Sequence, residues 1–504
     1  MSTTAAPSST APRTRDLGHH RVVIVGTGFG GIAVAHRLRE AGIDDVVLLE
    51  RAGDVGGVWR DNDYPGCACD VQSHLYSLSF APNPDWGETF SGRDEIHAYL
   101  RRTVDALGLR DRIRLHEDVR SQRWDEATHR WELETSAGRR TADHVVIATG
   151  ALADPVVPDL PGLASFAGPA FHSARWDHDV DLTGKRVVVV GTGASAIQFV
   201  PAIQPEVARL TLFQRTPPWV MPRHDGPIDA RTRGLMRRVP LRRRLERLRI
   251  FVQRELFVLG FRHPTLMKAA QRTALSHLEE QVSDPELRAK LTPDYTLGCK
   301  RILLSNTYLR ALDRENADVV TTGVREVRPH GVVDGDGVEH PADVLIFGTG
   351  FHTQEMPLTQ RTTGRDGRTM SETWAGSPRA YLGTTVAGFP NAYLVHGPNI
   401  GLGHTSVLHM LESQAAYVAD AVRWAGEHGV TALEPTRRAQ DAFVEDVERL
   451  GRGTVWTAGG CTSWYLDETG RNSNLWPGSV LDYRRRARRF DPAAHVLRTL
   501  PTAR

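Results

Sequence analysis

The sequence has few cysteines, no long apolar run and almost no net charge. Its 504 residues include four cysteines, too few for a disulfide-stabilised scaffold and consistent with a reducing cytosol. No run reaches the roughly 18 apolar residues of a membrane span, and residues 1–20 lack the apolar core of a secretory signal. The 62 Lys and Arg residues exceed the 60 Asp and Glu residues by too little for a dedicated nucleic-acid-binding protein. We therefore expect a cytoplasmic globular protein with no nucleic-acid partner and no transmembrane segment.

Composition and length indicate several domains. Hydrophobic residues make up 40% and charged residues 24% of the chain, which are ordinary values for globular proteins. At about 150 residues per domain, the length corresponds to three domains or two large ones. Residues 1–18 are rich in Ser, Thr, Ala and Pro, and we predict that they form a disordered tail.

A glycine-rich turn near the N-terminus lies between an apolar strand and a helix. The strand covers residues 21–25, and residues 45–50 form a second apolar strand that ends in Glu50. This order is typical of a dinucleotide-binding unit, whose glycines permit the tight turn, the approach to a pyrophosphate and close helix–sheet packing. These glycines are Gly26, Gly28 and Gly31. Glu50 is placed to accept hydrogen bonds from ribose hydroxyls; the alternative is a solvated acid at a strand end.

The same order recurs later in the chain with one difference. Residues 185–190, which end in four valines, precede the turn, and a second strand covers residues 210–215. The small residues of this turn are Gly191, Gly193 and Ala196. Arg215 stands where the first unit has its acid, and a guanidinium suits a 2′-phosphate, with Thr216 as a further donor. The two units therefore predict FAD in the first and NADPH in the second.

Two apolar strands that end in Thr-Gly mark where the chain can pass between domains. They cover residues 145–150 and 344–350. The simplest arrangement is an α/β fold of two Rossmann-like dinucleotide-binding domains, with the NADPH domain inserted in the FAD domain. The predicted boundaries are an FAD domain in two parts (19–155 and 344–504, the second including a substrate loop), a linker (156–182), an NADPH domain (183–343) and a helical insertion within it (225–300).

The predicted helical insertion combines an apolar face with many arginines. Leu241, Leu245, Leu248 and Val252 share one face at helical spacing, and residues 231–254 include ten arginines. We interpret this segment as a solvated helical face over an apolar stripe. Binding to a membrane or to nucleic acid is the alternative.

Two longer motifs are more specific than the glycine turns. Residues 56–70 read GGVWRDNDYPGCACD, and residues 166–177 read FAGPAFHSARWD. They resemble the GGxWxxxxYPGxxxD stretch and the FxGxxxHxxxW(P/D) fingerprint of type I Baeyer–Villiger monooxygenases, a resemblance that covers roughly residues 20–485. The fingerprint residues are Phe166, Gly168, His172, Trp176 and Asp177. The Trp-Asp ending favours this branch over the sister family of N- and S-oxygenating flavin monooxygenases.

The resemblance implies a reaction and its central residues. NADPH reduces FAD, O2 adds to give a C4a-peroxyflavin, and one oxygen atom is inserted next to a ketone carbonyl to give an ester or a lactone. A nearby cation keeps the peroxide ionised. Arg301 matches the family's catalytic arginine, and Asp70 matches the acid that orients it. His172 matches a residue that acts in positioning and domain movement.

The resemblance and the two glycine turns together give the expected cofactor contacts. Those to FAD are Gly26, Gly28, Gly31, Glu50, Val58, Trp59, Asp70, Tyr76, Val119 and Met410. Those to NADPH are Thr192, Gly193, Ala194, Ser195, Gln198, Arg215, Thr216, Lys300 and Arg301. Trp464 resembles a mobile-loop tryptophan that reaches the nicotinamide and the substrate. No metal site is expected.

Other functions are less consistent with the sequence. A disulfide oxidoreductase also uses FAD, but only one residue separates Cys67 from Cys69. A zinc site is disfavoured because Cys299 and Cys461 are remote in sequence. A flavin-binding redox sensor would leave the second nucleotide unit without a purpose. An N- or S-oxygenating monooxygenase is the main alternative, because it uses the same cofactors.

Two departures from the commonest members concern the substrate. Ala68 stands where many members have an arginine, and residues 396–404 (HGPNIGLGH) also differ. Both make the chain similar to the arylketone-type subgroup. The sequence does not specify which ketone is oxidised or how many copies of the chain associate.

Overall fold

The computed structural model describes residues 15–354 and 356–500. The strands are β1 Asp16–Val25, β2 Val46–Leu49, β3 Ile113–Arg114, β4 Val119–Asp125, β5 Arg130–Thr135, β6 Arg139–Ile147, β7 Ala170–His172, β8 Arg186–Val190, β9 Arg209–Phe213, β10 Val220–Met221, β11 Leu303–Leu304, β12 Ala317–Val320, β13 Val324–Arg328, β14 Gly331–Asp334, β15 Glu339–Pro341, β16 Val344–Phe347, β17 Thr362–Thr363, β18 Ala392–Leu394, β19 Ala432–Pro435 and β20 His495–Arg498.

The α-helices are α1 Phe29–Glu40, α2 Val58–Asp61, α3 Arg93–Ala106, α4 Ala196–Ile203, α5 Ala230–Arg238, α6 Pro240–Arg262, α7 Pro264–Gln281, α8 Pro285–Leu291, α9 Tyr308–Leu312, α10 Met370–Trp374, α11 Leu408–Glu427, α12 Arg437–Gly451, α13 Val455–Ala458 and α14 Val480–Arg486. Short 3₁₀ helices cover Arg110–Arg112, Leu163–Ser165, Ser173–Arg175, Pro357–Arg361 and Pro492–Ala494.

The first sheet has the order β17-β4-β5-β6-β1-β2-β3, with β18 paired to β6. Strands β2, β1 and β6 run parallel, and Val23 of β1 lies beside Val47 and Val145. Val23 packs into one apolar cluster, and its neighbour Ile24 packs into another that includes α1 and α11. Both faces of β1 are thus buried, which explains why this strand is apolar without alternation.

The second sheet has the order β12-β9-β8-β16-β7, and all its pairings are parallel. The chain enters it after β6 of the first sheet and returns to the first sheet at β17 and β18. The glycine turns at Gly26 and Gly191 follow the carboxyl ends of β1 and β8. The predicted α/β fold, with one Rossmann-like unit inserted in another, is therefore confirmed.

Three predicted boundaries differ from the structure. The sequence predicts that the chain returns to the FAD domain at residue 344. In the structure, β16 pairs with β8 and belongs to the second sheet. Strand β7, in the predicted linker, pairs with β16 at the edge of that sheet. Strand β1 begins at Asp16, within the predicted tail 1–18, of which residues 1–14 lie outside the described residues. An apolar pattern in the sequence shows where a strand lies, but it does not show which other strand pairs with it, because paired strands can be distant in sequence.

Helices α5 to α8 occupy residues 230–291 of the predicted helical insertion. Ile250, Val258 and Phe261 of α6 are buried. The apolar stripe that begins at Leu241 lies on the opposite side, where its predicted members are 47–62% exposed. The interpretation of this segment as a solvated helical face over an apolar stripe is therefore wrong, because the stripe itself is exposed. No α-helix in the described part of the chain is long and apolar enough to cross a membrane.

Candidate active site

The first glycine turn forms a cradle between β1 and α1. Gly26 has a φ of +107°, and a Cβ there would lie 2.5 Å from the carbonyl oxygen of Ala148. A Cβ at Gly31 would lie 2.0 Å from the carbonyl oxygen of Gly26, whereas the nearest atom at Gly28 is 3.8 Å away, on Gly57. No described side chain caps α1, so the N–H groups of its first turn are available to a phosphate.

The cleft beside this cradle is lined by many of the residues predicted to contact FAD. They are Gly26, Gly28, Glu50, Val58, Tyr76 and Val119. Glu50 is 4% exposed; its carboxylate accepts from the Thr27 hydroxyl at 2.6 Å and pairs with Nη1 of Arg60 at 2.9 Å. The alternative of a solvated acid is therefore excluded. Arg60 belongs to the 56–70 motif, but sequence reasoning gives it no role.

Two predicted FAD contacts lie behind the cleft wall. Trp59 is 9% exposed, and its indole N–H donates to the Tyr76 hydroxyl at 3.1 Å. Met410 is fully buried in the core and is not among the described residues that line the cleft. The cleft is lined in this region by Val407, Leu408 and Leu411.

The second glycine turn repeats the geometry of the first. Gly191 has a φ of +109°, and a Cβ there would lie 2.4 Å from the carbonyl oxygen of Gly348. The Thr192 hydroxyl donates to the carbonyl oxygen of Thr216 at 3.3 Å and so joins the turn to the segment after β9. The other predicted residues of the turn, at the start of α4, are exposed or partly exposed: Gly193, Ala194 and Ser195.

Two cations lie together beyond this turn. Arg215 is exposed, and the ammonium of Lys300 lies 5.1 Å from the ring centroid of Tyr295. Burial and the positive charge of Arg215 lower the pKa of Lys300 below its ordinary value. A phosphate dianion bound between the two side chains would relieve this repulsion. The structure thus brings together the two residues predicted to bind the 2′-phosphate.

Gln198 connects the two nucleotide units. Its side-chain amide accepts from the Tyr64 hydroxyl at 2.9 Å and donates to the carbonyl oxygen of Ala68 at 2.9 Å. A Cβ at Gly66, whose φ is +79°, would lie 2.7 Å from the carbonyl oxygen of Gln198. All three partners belong to the 56–70 motif. The amide predicted to contact NADPH is therefore already bonded across the boundary between the units.

Arg301 and Asp70 form an ion pair where the two units meet. Nε and Nη2 of Arg301 both donate to Oδ2 of Asp70, at 2.7 and 2.5 Å. Burial opposes the charge of Asp70, but the charge of Arg301 and its hydrogen bonds hold the pKa of the carboxyl below its ordinary value. The charge of Asp70 in turn raises the pKa of Arg301. Both groups are ionised at neutral pH, so Arg301 provides a fixed positive charge.

Two residues beside this ion pair, Arg254 and Tyr465, belong to no motif that would have identified them as site residues. Arg254 of α6 donates to the backbone carbonyl of Asp70 at 3.2 Å and to Oε1 of Gln72 at 2.8 Å. Tyr465 is buried, and burial raises its pKa while the charges of Arg301 and Asp70 act on it in opposite directions. Arg254 is one of ten arginines in its segment, and composition cannot distinguish the one that points inward.

The C-terminal loop lies beside the ion pair. Its Tyr465 is close to Arg301 and Asp70, and a disulfide bond ties the loop to the segment that precedes Arg301. Trp464 is 44% exposed, with its ring centroid 4.5 Å from that of Tyr465. Cys461 is bonded to Cys299, which directly precedes Lys300. The expectation of reduced cysteines is wrong for this pair, because both residues join one buried cluster despite a separation of 162 residues.

The linker motif packs against the second sheet. A Cβ at Gly168 would lie 2.1 Å from the carbonyl oxygen of Asp343, so glycine is needed for this close approach. The ring of Trp176 contacts Phe171 and Phe199, with centroids 5.3 and 5.4 Å apart. The other two members, which make packing or local contacts, are Phe166 and Asp177. Gly168, Phe166 and Trp176 thus pack the linker, whereas Asp177 is exposed and accepts from the backbone N–H of Asp179.

His172 lies where the segment that leads from the first sheet into the second meets the segment that leads back. It belongs to β7 and pairs with Phe347 of β16. The side chain is buried, and its Nδ1 accepts from the backbone N–H of Ala174 at 3.0 Å. Burial lowers the pKa of His172 to about 4. The imidazole is therefore neutral at neutral pH.

Comparisons with known proteins agree with this geometry. A family model described as pyridine nucleotide-disulphide oxidoreductase matches residues 23–233, which include both glycine turns. A Baeyer–Villiger monooxygenase of Streptomyces coelicolor is 54% identical over 486 residues, covering 96% of this chain and 94% of that protein. This chain belongs to the Baeyer–Villiger monooxygenase family.

Further members of the family also match this chain over nearly its full length. A Baeyer–Villiger monooxygenase of Pseudomonas aeruginosa is 48% identical, covering 98% of this chain and 94% of that protein. The crystal structure of cyclohexanone monooxygenase from Rhodococcus bound to NADP+ superposes with a TM-score of 0.85 at 31% identity, covering 96% of this chain and all of that chain. The similarity to family members thus spans both nucleotide units and the C-terminal segment.

Family membership confirms the activity predicted from the sequence. The chain is an FAD- and NADPH-dependent monooxygenase that inserts an oxygen atom next to a ketone carbonyl, and this function is favoured over N- or S-oxygenation. A disulfide oxidoreductase is further disfavoured by Cys67 and Cys69, which are free. Burial raises the pKa of both thiols, that of Cys67 to about 11, so neither is a reactive thiolate at neutral pH.

Proposed function

We propose that the cleft beside Gly26 holds FAD and that the second turn, with Arg215 and Lys300, holds NADPH. The open backbone at Gly28 and the uncapped start of α1 fit a pyrophosphate. FAD, when bound, supplies the hydride acceptance and oxygen activation that the side chains cannot. The chain's own residues bind the cofactors, orient them and provide charge. On this proposal the first sheet belongs to the FAD domain and the second sheet to the NADPH domain.

The proposed catalytic residue is Arg301, held by Asp70. Negative charge develops on the reacting oxygen atoms when oxygen adds to a carbonyl carbon, and a preorganised cation stabilises it. Asp70 fixes the guanidinium through two N–H groups and keeps it charged. Arg254 holds the backbone of Asp70 and acts as a positioning residue. The observation that carries this proposal is the ion pair at the junction of the two nucleotide units.

A panel of linear, cyclic and aryl ketones, incubated with the purified protein and NADPH, tests the function. Product mass analysis is expected to show an ester or a lactone, and the subgroup resemblance predicts the highest turnover with aryl ketones. Oxidation of sulfides and amines without conversion of any ketone would instead support the N- or S-oxygenating alternative.

Replacing Arg215 by alanine is expected to weaken NADPH binding by roughly ten- to a hundredfold, because a charge-assisted bond to phosphate contributes about 1.5–3 kcal/mol. NADH lacks the 2′-phosphate, so its binding should change little. KM values for both cofactors measure the difference, with Arg314→Ala, another exposed arginine of the second unit, as the control. Equal losses for NADPH and NADH would contradict the assignment of Arg215.

Replacing His172 by alanine is expected to lower turnover roughly three- to tenfold, because a buried hydrogen bond at the crossing between the sheets is lost. FAD content should stay near that of the parent, and since its pKa is about 4 the deficit should be independent of pH in the neutral range. His330→Ala, an exposed histidine in the turn between β13 and β14, is the control. Loss of FAD from His172→Ala would assign the residue to the flavin site instead.

A further inference from the structure

The outer face of α6 carries a continuous apolar stripe. Its members recur every three or four residues and therefore lie in one narrow sector of the helix. They are Leu241, Leu245, Leu248, Val252, Leu256 and Leu259, each 47–62% exposed. At 1.5 Å per residue the stripe is about 27 Å long. Scattered exposed leucines need no explanation, but a contiguous apolar surface of this length is typical of an interaction site.

Arginines border the stripe on both sides. The exposed ones are Arg242 and Arg249 along one edge and Arg244 and Arg262 along the other. Glu246 pairs with Arg249 at 2.5 Å. Glu255, near the other edge, turns inward and accepts from the backbone N–H of Val480 at 2.7 Å. The face therefore presents an apolar centre between positively charged borders.

We propose that this face of α6 docks on the surface of an anionic lipid bilayer. The leucines enter the boundary of the acyl chains, and the bordering arginines lie at the level of the lipid phosphates. Charge complementarity selects this occupant, because a second copy of the chain docked through the same face would bring arginine borders against arginine borders. The opposite side of α6 carries Arg254, which contacts Asp70, so docking places the catalytic ion pair behind the helix that touches the lipid.

Flotation of the FAD-loaded protein with vesicles tests the proposal. We expect the protein to float with vesicles of equal parts phosphatidylglycerol and phosphatidylcholine at low salt, and much less with pure phosphatidylcholine or at high salt. Leu248→Glu combined with Leu256→Glu should weaken partitioning by roughly a hundredfold or more, since burial of each leucine contributes about a factor of ten or more. Arg242→Gln combined with Arg244→Gln should weaken it roughly thirtyfold.

A matched variant separates loss of the stripe from added negative charge. Val338→Glu combined with Val496→Glu adds the same charge at side chains that are 55% and 39% exposed, in the turn between β14 and β15 and in β20, and it should weaken flotation far less than the α6 pair. FAD content and NADPH oxidation show that each variant is folded. Failure to float with anionic vesicles, or equal flotation by the α6 pair and the parent, overturns the proposal. So does a dimer in sedimentation that the α6 pair dissociates while vesicles fail to bind, because that outcome assigns the face to a second copy.

Discussion

Replacing Arg301 by alanine is expected to reduce ester formation from ketones by roughly a hundred- to a thousandfold, while the protein keeps its FAD. One preorganised charged group at a site of developing charge contributes about 3–4 kcal/mol. Arg301 presents such a charge from its ion pair with Asp70 and is not among the described residues that line the proposed FAD cleft. Ketone conversion at saturating NADPH and flavin absorbance measure the two quantities.

The controls for this prediction separate charge from geometry. Arg301→Lys keeps the charge but cannot donate two N–H groups to one oxygen of Asp70, so an intermediate rate is expected. Arg272→Ala removes an exposed arginine of α7 and should leave ester formation unchanged. Sulfide oxidation should fall less than ketone oxidation in Arg301→Ala. Ester formation at the parent rate in Arg301→Ala would show that this arginine is not the catalytic cation.

Replacing Gly31 by alanine is expected to give a protein that does not retain FAD and whose free energy of unfolding is about 1–3 kcal/mol lower. The added Cβ would lie 2.0 Å from the carbonyl oxygen of Gly26, well inside van der Waals contact. The clash is with backbone, so relief requires α1 to move away from β1. This movement opens the phosphate cradle. Urea unfolding and the ratio of flavin to protein absorbance measure both effects.

Gly234→Ala provides the matched control, because it is the same substitution at another helical glycine. Gly234 lies in α5, and a Cβ there would meet no atom within 4 Å. Alanine favours a helix over glycine by about 1 kcal/mol, so this variant should retain FAD and be as stable as the parent or slightly more stable. If Gly31→Ala matches Gly234→Ala in both measurements, close packing of α1 on the sheet is not required for FAD binding.

The features that the sequence predicts well are those set by local backbone geometry. The turn at Gly26, the helix that follows and the acid at Glu50 lie within one short segment, and the structure places them as this order requires. The pairing of Arg301 with Asp70 is different, because 231 residues separate them. Only the resemblance to a known family predicts this pair.

The features that the sequence does not predict depend on contacts between distant segments. The apolar pattern of residues 344–347 identifies a strand, but only the fold shows that its neighbour is β8. Helical spacing groups Leu241 with Leu245, but it does not show that this face is exposed. The bond between Cys299 and the C-terminal loop, and the inward direction of Arg254, also depend on tertiary packing.

The most direct test of oxygen insertion next to a ketone carbonyl is isotopic labelling. The FAD-loaded protein is incubated with NADPH, an aryl ketone and 18O2, and the product is analysed by mass spectrometry. We expect an ester with one labelled oxygen atom, located between the carbonyl carbon and the migrated group, and one NADPH consumed per ester. NADPH oxidation that yields only hydrogen peroxide with every ketone tested, together with a labelled sulfoxide from a sulfide, would contradict the assignment.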